Sequence, residues 1–424
     1  MSTLKTNRIE PVGSTAGTVT VDGTMVFTQG ATFPGGISVG QFAYFSTGVT
    51  VAGTVMMSSP FSFRNRIMNG NMMVNQRGTT SNPNVIGGNG FGPTMGQVNI
   101  SGAVSNRVYD RWTFQRSPGI TLFFYGGLTV SPPQGFDRYC RLLSGATTTS
   151  YANTSVSGFY QGIETSTISD FDYGKTTAKT STLSFWVRSN RTGTFEGNIS
   201  SFPNSTRGYL FPYTINSADT WEYKTITIPG DTASVGWTYS TLVNYSPSSN
   251  AGGFAYIGFN LGSGASGYGT RNQWQTRDGV YLGYSPYTDG TGVQLTGWSG
   301  GYLDFTGVQW ELGNVATPFE HRPYAIELEM CQRYFFRSIF QNFAGYSNTS
   351  VGEIQTVGFP TRMRAHPTTS AYSSQEFSFT NCSAGGANGL ASGHDNYQLS
   401  LSVTSLGAFQ FNANNGGFDY IAEI

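Results

Sequence analysis

Three histidines, His321, His366 and His394, stand apart from one another in a chain of 424 residues, and none has the neighbours that a general base or a metal ligand needs. His321, in "FEHRPY" beside Arg322, reads as a hinge or surface residue. The chain carries no G-x-S-x-G elbow, no H-E-x-x-H and no phosphate loop. Cleaving a glycosidic bond would require two carboxylates spaced across it. Glu164, Asp170, Asp172 and Asp304 are the candidates, set against the commoner role of carboxylates in solvated turns. The three cysteines, Cys140, Cys331 and Cys382, form neither a metal spacing nor a disulfide framework. The expectation is a protein that is not an enzyme and needs no cofactor.

Another chemistry is better supplied. Flat apolar rings take the C–H faces of pyranoses, and amides, hydroxyls and charged groups meet their hydroxyls. Two places offer this combination. In "LSFWVR" and "FAYIGFNL", Trp186, Arg188, Tyr256 and Asn260 fall on the outward phase of two strands. The long loop at 262–290 holds Tyr268, Trp274, Tyr281, Tyr284 and Tyr287 among glycines and amides, and loops of that length commonly carry function. The alternative for the same rings is packing, as plugs at the ends of a sandwich or against a neighbouring chain.

The elements that must position these residues are strands. Only 11% of the residues are charged, 15% are aromatic and 56 are glycine, a composition too apolar for disorder and too rich in glycine for helices. The class is all-β. Lys+Arg and Asp+Glu both number 23, so no net field draws the chain to nucleic acid or to an anionic membrane. No run approaches the roughly 18 apolar residues of a spanning helix. "MSTLKTNRIEP" lacks a signal-peptide core, and the expectation is folding in a cytosol without membrane insertion.

Four regions follow along the chain. In residues 1–60, "VTVDGT" recurs as "VTVAGT" among short alternating runs with too few large side chains for a core of their own. They read as an intertwined shaft or anchor, or else as a flexible linker. Residues 61–322 hold at least eight strand-like runs between turn signals, the pattern of a jelly-roll β-sandwich. Leu183, Phe185 and Val187 face inward, as do Ala255, Ile257, Phe259 and Leu261. Over 323–338 the period changes: after Pro323, the residues Ile326, Met330 and Tyr334 recur at four-residue steps, predicting a linker helix. Residues 339–424 return to strands and suffice for a small C-terminal β-domain.

One stretch, "FRNRIMNGNMMVNQRG" at 63–78, packs Arg64, Arg66 and Arg77 among methionines and asparagines. The arginines are too few for a phosphate-tracking stripe. The Asn69-Gly70 pair argues against a helix, leaving a short strand, a turn and another short strand at the start of the sandwich.

This stretch, followed by "YDRWTF", "LSFWVRSNRTGTFEG", "DTWEYKTITIPGDT" and "TGVQWELGNVATPFEHRPYAIELEMCQRYF", resembles in that order the middle of bacteriophage tail-fibre proteins from phages of marine and freshwater bacteria, cyanophages among them. The resemblance covers residues 63 to about 337. The opening "MSTLKTNRIEP" is similar to the start of such fibres, and "VGFPTRMRAHPTTSAY" more loosely to their C-terminal domain. The sandwich also resembles a carbohydrate-binding module, with "MNGNM" on its first strand and "YLDFTGVQWE" closing it. The resemblance implies a virion tail fibre, assembled in the host cytoplasm, that attaches to host-surface polysaccharide. It implies a homotrimer docked on a tail or baseplate protein through residues 1–60, with 339–424 at the distal tip. It further implies a structural calcium at Asp304 and around Asn69, although one carboxylate is few for such an ion and the favoured reading is that Asp304 caps a turn or pairs with an arginine. Two other roles stay open: a structural virion adaptor or spacer, and a glycan-degrading fibre.

Overall fold

The computed structural model describes residues 63–76, 98–99, 104–116, 122–126, 130–153, 155–202, 207–234, 236–237, 254–276, 288–339, 343–347, 353–364, 367–371, 377–380, 382–391, 395–403, 407–413 and 417–421. The shaft reading of 1–60 and the readings of Arg77, Tyr281, Tyr284, Tyr287, His366 and His394 lie outside the described residues.

Thirteen strands among the described residues build the sandwich: β1 Val98–Asn99, β2 Val104–Tyr109, β3 Trp112–Arg116, β4 Leu122–Gly126, β5 Cys140–Ser144, β6 Val156–Glu164, β7 Ser181–Ser189, β8 Gly193–Phe202, β9 Arg207–Ile215, β10 Glu222–Ile228, β11 Phe254–Ser263, β12 Trp274–Thr276 and β13 Tyr302–Leu312. They form a six-stranded sheet in the order β1-β4-β5-β13-β7-β10 and a seven-stranded sheet in the order β12-β9-β8-β11-β6-β3-β2. Most successive strands pass from one sheet to the other, as in β5 to β6 and β6 to β7, while β2/β3, β4/β5 and β8/β9 are neighbours within one sheet. The ladders β13/β7 and β11/β6 are antiparallel. This is a two-sheet β-sandwich of jelly-roll type.

The alternation of apolar residues sets the core. Leu183, Phe185 and Val187 of β7 and Ala255, Ile257, Phe259 and Leu261 of β11 are all buried in one cluster. Phe259 reaches across from the seven-stranded sheet to within 4.4 Å of the Phe305 ring centroid on β13. Each such side chain contributes roughly 1.5–3 kcal/mol on burial, and a sandwich needs two inner faces of them to hold its sheets together.

The stretch 63–76 forms no strand, contrary to the strand–turn–strand expectation. It is a buried irregular segment whose backbone meets that of β13 at two points, the Arg66 amide donating to the Trp310 carbonyl at 2.8 Å and the Val308 amide to the Gly70 carbonyl at 3.0 Å, and otherwise bonds largely to side chains. Asn65 Oδ1 accepts from the Ile67 and Trp310 amides at 2.9 and 3.1 Å, while its Nδ2 donates to the Val308 carbonyl at 3.2 Å. Gln161 exchanges two bonds with the Met68 backbone, at 2.9 and 2.8 Å. Asn69, at φ 53°, accepts from the Val74 amide at 2.8 Å and donates to the carbonyls of Val74 and Asp110 at 2.8 and 3.0 Å. Buried backbone polar groups must be paired somewhere, and the asparagines do here what a partner strand does elsewhere.

A one-turn helix α1 at Thr165–Ile168 follows β6, and after β13 come helix α2 at Tyr324–Gln332 and strand β14 at Phe335–Ile339. The helix is shorter than the 323–338 expected, and its buried phase is shifted by one position. Glu327 and Cys331 are buried, whereas Ile326 is exposed. Glu327 points inward because it accepts from the Asn69 amide and pairs with Arg322 at 3.4 Å. At the end of α2, Arg333 and Tyr334 close on Glu164 at the end of β6, at 3.2 Å for the Arg333 ion pair and 2.6 Å for the Tyr334 hydroxyl. The Arg111 guanidinium stacks 3.4 Å from the Tyr334 ring centroid.

Beyond α2 the backbone runs through β15 Phe343–Ser347, β16 Glu353–Gly358, β17 Thr368–Ala371, β18 Phe377–Thr380, β19 Cys382–Ala391, β20 Asn396–Val403, β21 Gly407–Ala413 and β22 Gly417–Ile421. These pair as three antiparallel sheets of three strands, β14-β22-β17, β15-β21-β18 and β16-β20-β19. Among the described residues no helix is long and apolar enough to cross a membrane.

Candidate functional site

With Leu183, Phe185 and Val187 turned into the core, β7 must present Ser184, Trp186 and Arg188 on the outer face of the six-stranded sheet. Trp186 is half-buried there, opposite Tyr223 of the edge strand β10. Tyr223 is 42% exposed. The two rings lie 5.2 Å apart at a tilt of 46°. Burial pushes the Tyr223 phenol up, while a hydrogen bond with Ser184 on the neighbouring strand pulls the other way.

The apolar surface continues past Trp186. Gly307 on β13 adopts φ 62°, and a Cβ there would sit 2.6 Å from Phe136 and 3.2 Å from Trp186. Glycine is what allows Phe136 to settle beside the tryptophan. Phe136 then meets Phe319 at 5.1 Å and His321 at 5.4 Å. Tyr223, Trp186, Phe136, Phe319 and His321 thus form a strip across the sheet face, exposed at its two ends and half-buried between them.

The other predicted residues divide. Arg188 is buried and belongs to the structure: its guanidinium bonds Asp304 at 2.9 Å and the Asp219 carbonyl at 2.9 Å. Arg141 takes both Asp304 oxygens, at 2.7 and 2.8 Å. Two guanidinium groups take three of the roughly four acceptor sites of the Asp304 carboxylate and already neutralise its charge, which leaves little to hold a calcium ion. Asn69 spends its amide on Val74 and Asp110, so the two residues suggested for that ion do not fit it. Among the described residues no group of three or more metal-ligating side chains comes together.

Tyr256 and Asn260 do lie on the outer phase of β11, but both are 2% exposed, a correction to their expected solvent position. Tyr256 packs edge-to-face on Tyr160 at 5.6 Å. Asn260 Oδ1 accepts from the Gly262 amide and the Ser263 hydroxyl, at 3.0 and 2.9 Å, bridging a bulge in the strand. Outward phase is not exposure where a sheet is covered on both faces. Trp274 is likewise a packing residue: its indole N–H donates to the Pro229 carbonyl at 2.7 Å, and its ring meets those of Tyr209, Tyr173 and Trp237 at 5.3, 5.4 and 5.6 Å.

Tyr268, in the predicted loop, stays 49% exposed. Its ring rests on Gly290, where a Cβ would come within 2.6 Å of it. Three residues further on, Arg271 ties buried Glu196 to Asp289, at 2.8 and 2.9 Å. The four carboxylates weighed for glycan cleavage sit in separate ion pairs: Asp170 with Arg66 at 2.7 Å, Asp172 with Lys175 at 2.7 Å, Glu164 with Arg333 and Asp304 with Arg141.

Tyr223, Phe136 and Phe319 were not singled out by sequence. For Tyr223 a signal existed: in "WEYKTITI" it shares its phase with Thr225 and Thr227, the solvent side of a half-buried strand.

No protein-family model and no curated protein matches the chain. Among solved structures, the enzymatically active domain of tailspike protein 4 from bacteriophage CBA120 is similar over 59% of this chain and 22% of its own, at 14% identity and a TM-score of 0.27. A CBM4 carbohydrate-binding module is similar over 58% of this chain and 98% of its own, at 13% identity and a TM-score of 0.26. A family 11 carbohydrate-binding module from Clostridium thermocellum, solved with a mixed-linked tetrasaccharide, is similar over 52% of this chain and 98% of its own, at 12% identity and a TM-score of 0.23. The chain therefore spans less than a quarter of the tailspike chain's length.

Proposed function

We propose that this protein binds glycan on the Trp186–Tyr223 strip, as the receptor-binding tail fibre of a bacteriophage that attaches the virion to host-surface polysaccharide. The observation that carries the binding site is the pair of adjacent rings on a sheet face, with Tyr223 42% exposed. A rigid strand backbone holds both, so little ordering entropy is lost when a sugar stacks on them. Thr225 and the exposed His321 supply hydrogen-bonding groups along the strip. Tyr268 on Gly290 offers a second ring of the same kind. The tail-fibre role rests on the ordered run of sequence motifs, and with it a trimer anchored through residues 1–60.

The test is sedimentation of purified protein with host cells and with their extracted polysaccharide, using wild type, Tyr223→Ala and Trp186→Ala. Saturable binding that weakens tenfold or more in both variants, with melting temperature little changed for Tyr223→Ala, supports the reading. Binding that survives both substitutions removes the strip from it. A wild-type protein that binds no host glycan is a structural adaptor instead, and release of reducing ends would make it a glycan-degrading fibre.

A further inference from the structure

At one end of the sandwich an exposed indole stands apart from this strip. Trp298 follows the turn at Leu295–Gly297 and is 48% exposed. The Arg191 guanidinium carbon lies 4.7 Å from its ring centroid. Arg191 has no carboxylate within ion-pair distance among the described residues, whereas Arg66, Arg141, Arg188, Arg207, Arg271, Arg322 and Arg333 each do. Its Nε is buried without an acceptor.

The backbone beneath the pair is fixed from several sides. The Arg191 amide donates to Ser189 Oγ at 3.0 Å. Asn190 donates to the Gly300 carbonyl at 2.9 Å and accepts from the Tyr302 amide at 3.1 Å. The Gly300 amide donates to the Ser144 carbonyl at 2.8 Å, and the Ser299 amide to Thr147 Oγ1 at 3.1 Å. An exposed indole and a charge without a counter-ion are thus held in place by bonds that neither side chain makes itself. Among the described residues no side-chain hydrogen bond or ion pair is made by either, and a half-buried guanidinium without a counter-ion costs desolvation.

We infer that Trp298 and Arg191 form a subsite for a carboxylate-bearing saccharide, a uronic acid residue within an acidic polysaccharide. The pyranose ring stacks on the exposed part of the indole, and its carboxylate takes the terminal guanidinium nitrogens in a charge-assisted, fork-like contact. The inference deepens the glycan-binding reading and rests on it.

The experiment titrates the full chain with tetramers of galacturonate, glucuronate and mannuronate and with their carboxyl-reduced neutral forms. At least one acidic tetramer binds tenfold or more tightly than its neutral form. Arg191→Gln abolishes that preference with the melting temperature unchanged, and Trp298→Ala weakens the acidic tetramer. Added salt narrows the preference in wild type, as expected of a partly exposed charge. Equal binding of all three acidic tetramers and their neutral forms, or a preference that survives Arg191→Gln, overturns the inference. If host polysaccharide still binds in those cases and is lost on Tyr223→Ala, only this subsite falls. If no saccharide binds at all, the glycan-binding reading falls with it.

Discussion

Gly70 lies so close to β13 that an added Cβ would overlap the Val308 carbonyl, and its own carbonyl accepts from the Val308 amide at 3.0 Å. The overlap is with backbone, which cannot move aside without breaking the strand. Gly70→Ala is therefore expected to destabilise the protein by about 1–3 kcal/mol, the range of overpacking in a filled interior, and thermal denaturation would read it. Asn69→Ala strands the Val74 amide and carbonyl and the Asp110 carbonyl, groups that are costly to bury unpaired, so it should lower the melting temperature as well. Asn69→Gly would suit the backbone angle yet lose the same bonds, and only a cost in both variants supports the side-chain account. Glu222 makes a different prediction. Burial disfavours its charge, but the Lys224 ammonium and the Ser217 and Asn216 amides hold its carboxyl at about 2, below the ordinary 4.5. A depressed carboxyl stabilises the fold above its unfolded value, and that contribution disappears as pH falls from about 4.5 toward 2. Glu222→Gln should flatten the acid limb of a melting-temperature profile in that window and leave its slope above pH 6 unchanged.

At the scale of elements, β6 and α2 are clasped through Glu164. Burial opposes ionisation of this carboxyl, yet the Arg333 charge and the Tyr334 hydroxyl hold it below the usual range. The sign is again that of a depressed acid: the clasp is complete above the ordinary glutamate value and weakens as pH falls through the lowered one. Glu164→Gln should cost about 1.5–3 kcal/mol at neutral pH, the range of hydrogen bonds to charged groups. The difference from wild type should shrink on acidification, as followed by chemical denaturation. These elements also mark how far sequence reasoning reached. Strands β7 and β11 were legible because their apolar residues alternate without interruption, and β13 because Leu303 and Phe305, then Val308, Trp310 and Leu312, alternate on either side of a bulge at Thr306–Gln309. Strand β6 was not among the runs read, since Gly158 and Gly162 blank out its outer phase, and Pro212 obscured β9. The phase of α2 was misread because its inward residue is Glu327, a charge whose partners, Asn69 and Arg322, come from elsewhere. Alternation told which way Tyr256 and Asn260 point. It could not tell that they are covered, because cover comes from tertiary structure and not from the strand. Trp186 was within reach of the sequence for the same reason, whereas Phe136 and Phe319 arrive from loops whose path no period records.

For the whole molecule, the fold divides into Met1–Met56 and Met57–Ile424. A fragment beginning at Met57 should unfold in one transition at the melting temperature of the sandwich in the full chain, because the core cluster lies wholly within it. If residues 1–60 hold the assembly together, the same fragment should lose its oligomeric state by analytical ultracentrifugation while keeping monomer stability. A fragment that fails to fold would show that the sandwich leans on the first unit. The irregular stretch near Asn69 carries one more consequence, which concerns time. Its partners Val308, Arg322 and Glu327 lie 243, 257 and 258 positions further along the chain from the residues they bind. During synthesis from the amino terminus, this segment emerges early, its polar backbone bonded to water, and meets its protein partners only once almost the entire sandwich has left the ribosome. Contacts of such long range close slowly, and half-made sheets with open edges aggregate. The last strand and the helix after it therefore act as a latch: expression should stop yielding folded protein when the chain is truncated anywhere before residue 327, however complete the sheets already are.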